Sequence, residues 1–218
     1  MKKFILLLLP LILLGCDSYD AIDYERRFDD LFLAHFSIVN FQPDFMYGFG
    51  NEYNGRCRII VEDLVSDRDL CGSISGGDWD WNDLVFDVEI DSDSTTITLL
   101  AVMSKLKIYV CDREVHEVFG VKFKSQMIDT RKSYIYSPVS FRVETKTWDV
   151  NEIPIIIKSR SGELNLLYVE KGRAPSKICV DCNYDWCEEG EDINIKYPLF
   201  KEWIIGNIDN NWYKNGKN

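Results

Sequence analysis

Seven residues constrain this chain more than any others. Leu84, Phe86, Val88 and Ile90 alternate with Val85, Asp87 and Glu89, the two-residue period of a strand with one face buried. A helix would scatter those apolar side chains around its circumference. The same texture recurs at short intervals. Residues 58–62, 95–103, 106–110, 118–123, 137–144, 153–158 and 164–169 are each strand-like runs rich in apolar and β-branched residues, separated by polar turns. Pro154 falls at the start of its run, where a strand tolerates a missing N–H. With no regular alternation of strand and helix, the pattern predicts an all-β fold, an antiparallel β-sandwich or jelly roll. Residues 191–205, interrupted at Pro198, predict a short C-terminal helix or two helical turns. No repeat or low-complexity linker divides residues 37–218, which are expected to form one β domain.

Directly ahead of the constraining strand stands Gly76-Gly77-Asp78-Trp79-Asp80-Trp81-Asn82-Asp83. Asp78, Asp80 and Asn82 place oxygen donors at alternate positions. Calcium takes six to eight oxygens at ~2.3–2.6 Å, and D-x-D-x-N opens the best-known loop that supplies them. Glu89 is twelfth counting from Asp78, the place of that loop's bidentate glutamate. Yet Asp83 occupies the sixth position where the loop needs glycine, and an extended strand would carry Glu89 away at ~3.3 Å per residue. A complete EF-hand is therefore not expected. The expected site is Ca²⁺ at Asp78, Asp80, Asn82 and Asp83, with Glu62 and Asp63 of the preceding strand end completing the shell. The plain alternative is that these side chains close Asx-turns without an ion. Trp79 and Trp81 are expected either to stack on a ligand sugar or to pack in the core.

The N-terminus predicts an address. Lys2 and Lys3 precede an apolar run from Phe4 to Leu14 broken only by Pro10, and Leu13-Leu14-Gly15-Cys16 closes it. This is a signal-peptide pattern over residues 1–15, too short for the ~20 residues of a membrane span. Its end resembles the lipobox of bacterial lipoproteins, which implies that Cys16 is acylated and becomes the mature N-terminus. More than one acyl chain there would anchor stably, whereas one binds marginally. Residues 16–36 then read as an acidic spacer, within which 24–36 form a candidate amphipathic helix. Removing Lys2 and Lys3 takes the formal charge from −11 to −13. Such a surface repels nucleic acid, so no nucleic-acid partner is expected, and it suits divalent cations.

Six cysteines follow Cys16: Cys57, Cys71, Cys111, Cys179, Cys182 and Cys187. In an exported chain one or two disulfides are favoured over a zinc site built on Cys179-x2-Cys182-x4-Cys187, for which no fourth ligand lies nearby. Signs of catalysis are sparse. Glu62 and Asp83 are the acid pair a glycan hydrolase would use. His116 lies between Glu114 and Glu117, a setting that more often makes a local hydrogen bond than chemistry. None of the common hydrolase, zincin or phosphate-loop motifs is present, so an enzyme is not expected.

Four segments in order, RIIVEDL (58–64), GDWDWNDLVFDVEI (77–90), EVHEVFGV (114–121) and YPLFKEW (197–203), resemble the LruC domain of bacterial lipoproteins over roughly residues 56–213. Val65 and Lys196 depart from that family's pattern, where glycine and alanine are usual. The resemblance implies a cell-envelope lipoprotein of Bacteroidetes-like bacteria with a β-sandwich, and supplies no activity, since the family is essentially uncharacterised. Taken together, the expectation is a lipoprotein anchored at the outer membrane, on its surface or periplasmic face. It would carry a non-enzymatic calcium-binding module for a glycan or envelope-protein ligand. The alternatives are a structural envelope component without a ligand and the hydrolase using Glu62 and Asp83.

Overall fold

A computed structural model of the chain describes residues 55–63, 79–122, 126–144, 152–158, 162, 164–167, 175–204 and 212–215. The expected signal peptide, Cys16, the acidic spacer with its helix, Val65, Cys71 and Asp78 lie outside these residues. Ten strands are described: β1 Arg56–Val61, β2 Leu84–Ile90, β3 Thr95–Val102, β4 Lys107–Val110, β5 Arg113–Glu114, β6 Ile128–Asp129, β7 Val139–Val143, β8 Ile155–Lys158, β9 Leu164–Leu167 and β10 Lys177–Val180. Short helices are α1 Val115–Val118, α2 Ile193–Lys196 and α3 Phe200–Ile204, with a 3₁₀ turn at Trp212–Asn215. No described helix is long and apolar enough to cross a membrane.

The fold is all-β, as the periodicity predicts. One sheet runs β10-β1-β2-β3-β6, with β7 also pairing β3, and the other runs β5-β4-β8-β9. All pairings are antiparallel. Alternate residues of the first sheet, among them Ile59, Val61, Leu84, Phe86, Ile97 and Leu99, join Ile108, Val110, Ile155 and Ile157 of the second in one buried cluster. This is the interior of a sandwich, where the inner faces of two sheets interdigitate.

The outer face of the first sheet is also covered at one end. Ile60, Val85 and Ile178 share that face through their register and are fully buried. Arg58, on the same face, forks onto Asp87 at 2.7 and 3.1 Å and donates to the Tyr184 carbonyl at 2.6 Å. Its guanidinium also lies 4.9 Å from the centre of the Trp186 ring, and Arg131 lies 3.9 Å from that same ring. Around this clamp Tyr184, Tyr197, Phe200, Trp203, Trp212 and Tyr213 pack ring to ring. The C-terminal segment is thus an aromatic roof over the sheet.

Two expectations change. Of the expected strand 118–123, the described residues 118–122 are not a strand. Val115–Val118 is a helical turn whose N-cap, Glu114, accepts the Glu117 N–H at 2.9 Å, and Gly120 with φ of +72° ends it. Among the described residues, Cys57, Cys111, Cys179, Cys182 and Cys187 form no disulfide. The register shows why for one pair: Ile59, and not Cys57, lies opposite Cys179. The C-terminal stretch forms two short helices flanking Pro198, the second of the expected forms.

Candidate metal centre

The site grows from one strand pairing. Val61 lies opposite Leu84 at the end of the β1–β2 ladder, so the residues one step beyond, Glu62 and Asp83, meet where the strands part. Asp63 follows, and its backbone N–H donates to Asp83 Oδ2 at 2.7 Å. Carboxylate oxygens of Glu62, Asp63 and Asp83 all lie within 4.8 Å of one another. The segment after β3 closes the other side. Met103 and Ser104 donate their N–H groups to the Asp83 carbonyl at 3.0 and 3.3 Å, and the Ser104 hydroxyl donates to Asp63 Oδ2. Trp81 N–H leans toward Glu62 Oε2 at 3.4 Å.

Electrostatics follow from that crowding. Glu62 is only 2% exposed. Burial, then the neighbouring Asp63 and Glu62 carboxylates, push the Asp83 carboxyl up to about 10, against the downward pull of the Asp63 N–H. Desolvation and like charge both disfavour ionisation. A proton or a cation would relieve that opposition at Asp83. Hard oxygen donors from two chain segments fit a calcium ion, with backbone carbonyls or water filling the remaining positions.

The predicted donors do not all arrive here. Asp80, wholly buried, turns its carboxylate to amide hydrogens: Asn82 N at 3.2 Å, Asn82 Nδ2 at 2.8 Å and Gly190 N at 2.8 Å. Asn82 Nδ2 also reaches the Cys187 carbonyl at 3.3 Å. That is the Asx-turn alternative realised at Asp80, whereas Asn82 Oδ1, the atom that would ligate an ion, is buried with no hydrogen-bond partner. Asp78 lies outside the described residues. Glu89, the twelfth position of the EF-hand template, faces solvent 3.8 Å from Arg56. Glu62, Asp63 and Asp83 are therefore the residues the fold brings together.

The tryptophans divide as well. Trp81 is 1% exposed, donates through Nε1 to the Pro175 carbonyl at 2.9 Å, and packs edge-on against Phe200 at 4.8 Å. It is a core residue and offers no open face to a sugar. Trp79 is half-buried, 5.4 Å from Trp81, and its carbonyl accepts the Ile193 N–H at 2.7 Å. Both have positive φ, 63° and 49°, an uncommon state for bulky residues. His116 is fully buried with Nδ1 2.8 Å from Glu114 Oε1, the local bond expected of it. Ser104 was not foreseen, because nothing in its own neighbourhood marks it. Only the turn of β3 back toward Asp83 brings it in. No family model, curated protein or solved structure matches the chain.

Proposed function

We propose that this chain is a cell-envelope lipoprotein, tethered through an acylated Cys16, whose β-sandwich binds Ca²⁺ at Glu62, Asp63 and Asp83 as a non-enzymatic surface-binding module. The observation that carries the reading is the meeting of three carboxylates from two segments, with oxygens within 4.8 Å of one another. The lipobox-like Leu13-Leu14-Gly15-Cys16 and the four ordered segments that resemble the LruC domain support the envelope setting. A bound calcium would let all three carboxylates ionise together and would lock the β1 end to the loop ahead of β2. Its partner is a glycan or an envelope protein.

A purely structural role is the second reading. The burial of Trp81 and the closure of Asp80 onto amides favour it, since both remove features a sugar site would use. The hydrolase reading gains no support. Glu62, one of its two carboxylates, is only 2% exposed and so closed to a polysaccharide chain.

Calcium titration of the mature protein, followed by tryptophan fluorescence and melting temperature, tests the metal. Wild type should gain stability with calcium over chelator, and Asp83→Asn should lose that gain. Identical melting in calcium and chelator would sink the reading. Binding of the calcium-loaded protein to a glycan array or to envelope extract then separates an adhesive module from a structural one.

A further inference from the structure

Among the described residues, the large apolar side chains most open to solvent are Tyr134 (108% exposed), Ile135 (84%), Ile195 (66%) and Leu199 (37%). They fall on two segments, the loop between β6 and β7 and the α2–α3 stretch. One carboxylate joins these segments: Arg131 donates to Asp185 Oδ1 at 2.5 Å and Lys196 to Asp185 Oδ2 at 2.6 Å. Both cations also donate to the Trp186 carbonyl, at 2.8 and 2.9 Å. The exposed apolar residues therefore flank a single network. Within it Arg131, Lys132 and Lys196 pair with Asp129, Asp185 and Glu188. Beside Tyr134 and Ile135 opens a groove of about 420 Å³ that Met103 and Met127 also line.

We propose that this face rests on the lipid bilayer to which the domain is tethered, with Tyr134 at headgroup level and Ile135 toward the acyl boundary. The inference builds on the lipoprotein reading. Two adjacent apolar side chains at a loop tip are costly in water and would each gain on burial. Tyrosine suits the interface because its ring is apolar and its hydroxyl polar. The loop tip 130–136 carries Arg131 and Lys132 and no carboxylate, so it is the part of an acidic domain that a headgroup layer repels least. The tether supplies the rest: an anchored contact acts at an effective concentration near millimolar, so even a weak one is populated.

The test mounts residues 17–218, carrying an N-terminal hexahistidine, on phosphatidylethanolamine–phosphatidylglycerol vesicles containing nickel-chelating lipid. Hydrogen–deuterium exchange is read over residues 130–136 and 193–201. Tethering should slow exchange there by about twofold or more, the occupancy expected of a weak tethered contact. Tyr134→Ser with Ile135→Ser should abolish the slowing while exchange in β1–β3 stays unchanged, which shows the variant folded. Equal exchange on and off the vesicle overturns the proposal. So does protection that rises with protein concentration without vesicles, which would make a second copy the occupant. Because the tether is supplied chemically, the result does not depend on acylation of Cys16. That reading stands or falls on the mass of the N-terminal peptide recovered from membranes.

Discussion

Asp80 and Asp83 stand three residues apart in one loop, yet they sit in opposite surroundings. Asp80 is met by nitrogen: the backbone and side-chain amides of Asn82 and the backbone of Gly190. Asp83 is met mainly by oxygen, the carboxylates of Glu62 and Asp63, with one N–H in compensation. Buried charge is tolerated when it is hydrogen-bonded or paired, and the two pockets meet that requirement differently. One is complete with protein groups alone. In the other, burial and neighbouring carboxylates set themselves against the ionisation of Asp83, which a proton or a cation would relieve. The acidic loop is thus two devices, a structural latch and a candidate metal seat.

That contrast can be broken most forcefully at the latch. Asp80→Ala strands buried amides of Asn82 and Gly190 and should cost roughly 3–5 kcal/mol, with hydrogen bonds to a charged group at ~1.5–3 kcal/mol each and not additive. The loss, read by denaturant unfolding, should be the same in calcium and in chelator. A calcium-dependent loss would merge the two pockets into one site. Next in size is the seat itself. Calcium at a hundred times its dissociation constant should stabilise wild type by about 2.7 kcal/mol, and Asp83→Asn should erase that gain. In chelator, the same variant should be no less stable than wild type, because it removes a carboxyl its neighbours oppose. A variant that is destabilised in chelator would show the cluster already satisfied.

The latch should also fail on alkali. Burial, with Glu191 and Asp80 adding to it against Lys196, pushes the Cys187 thiol up to about 12 from 9.0, and burial raises Tyr184 well above 10.0. A folded pKa above the unfolded one gives stability that is fully present below pH 9 and lost as pH climbs toward 12. Stability measured from pH 8 to 11 in saturating calcium, where Asp83 is already ionised, should still fall. The smallest effect belongs to Ser104→Ala, which removes the hydroxyl given to Asp63. It should cost about 1 kcal/mol in chelator and less once a cation takes over that oxygen.

The sandwich was legible because its longest strands announce themselves. The span of β2 was read to the residue, since one face of Leu84–Ile90 is apolar throughout. Shorter elements hid for physical reasons. The strand β10 has four residues, and its lysine, Lys177, is fully buried where its type predicts exposure. Residues 118–123 carry strand-forming side chains, but a capping bond from Glu114 and the Val121 N–H to the His116 carbonyl at 3.1 Å wind their start into a turn. In the site, Glu62 and Asp63 were foreseen as partners of Asp83, since both groups border strands that could pair. The turn of Asp80 onto Asn82 was one of two readings the sequence offered, whereas its bond from Gly190 was not foreseeable, because Gly190 lies 110 residues away. Nor does any local rule put tryptophan at positive φ.

The aromatic roof has a consequence for when this chain acquires its structure. Strand β1 finds its outer neighbour only when Lys177–Val180 arrives, and the face it shares with β2 stays open until Tyr184, Trp186 and Trp212 are in place. A polypeptide emerging from a ribosome in N-to-C order has none of these until residues 177–212 are out. The sheet and its cover are therefore completed late in synthesis, by segments far along the chain from the strands they close.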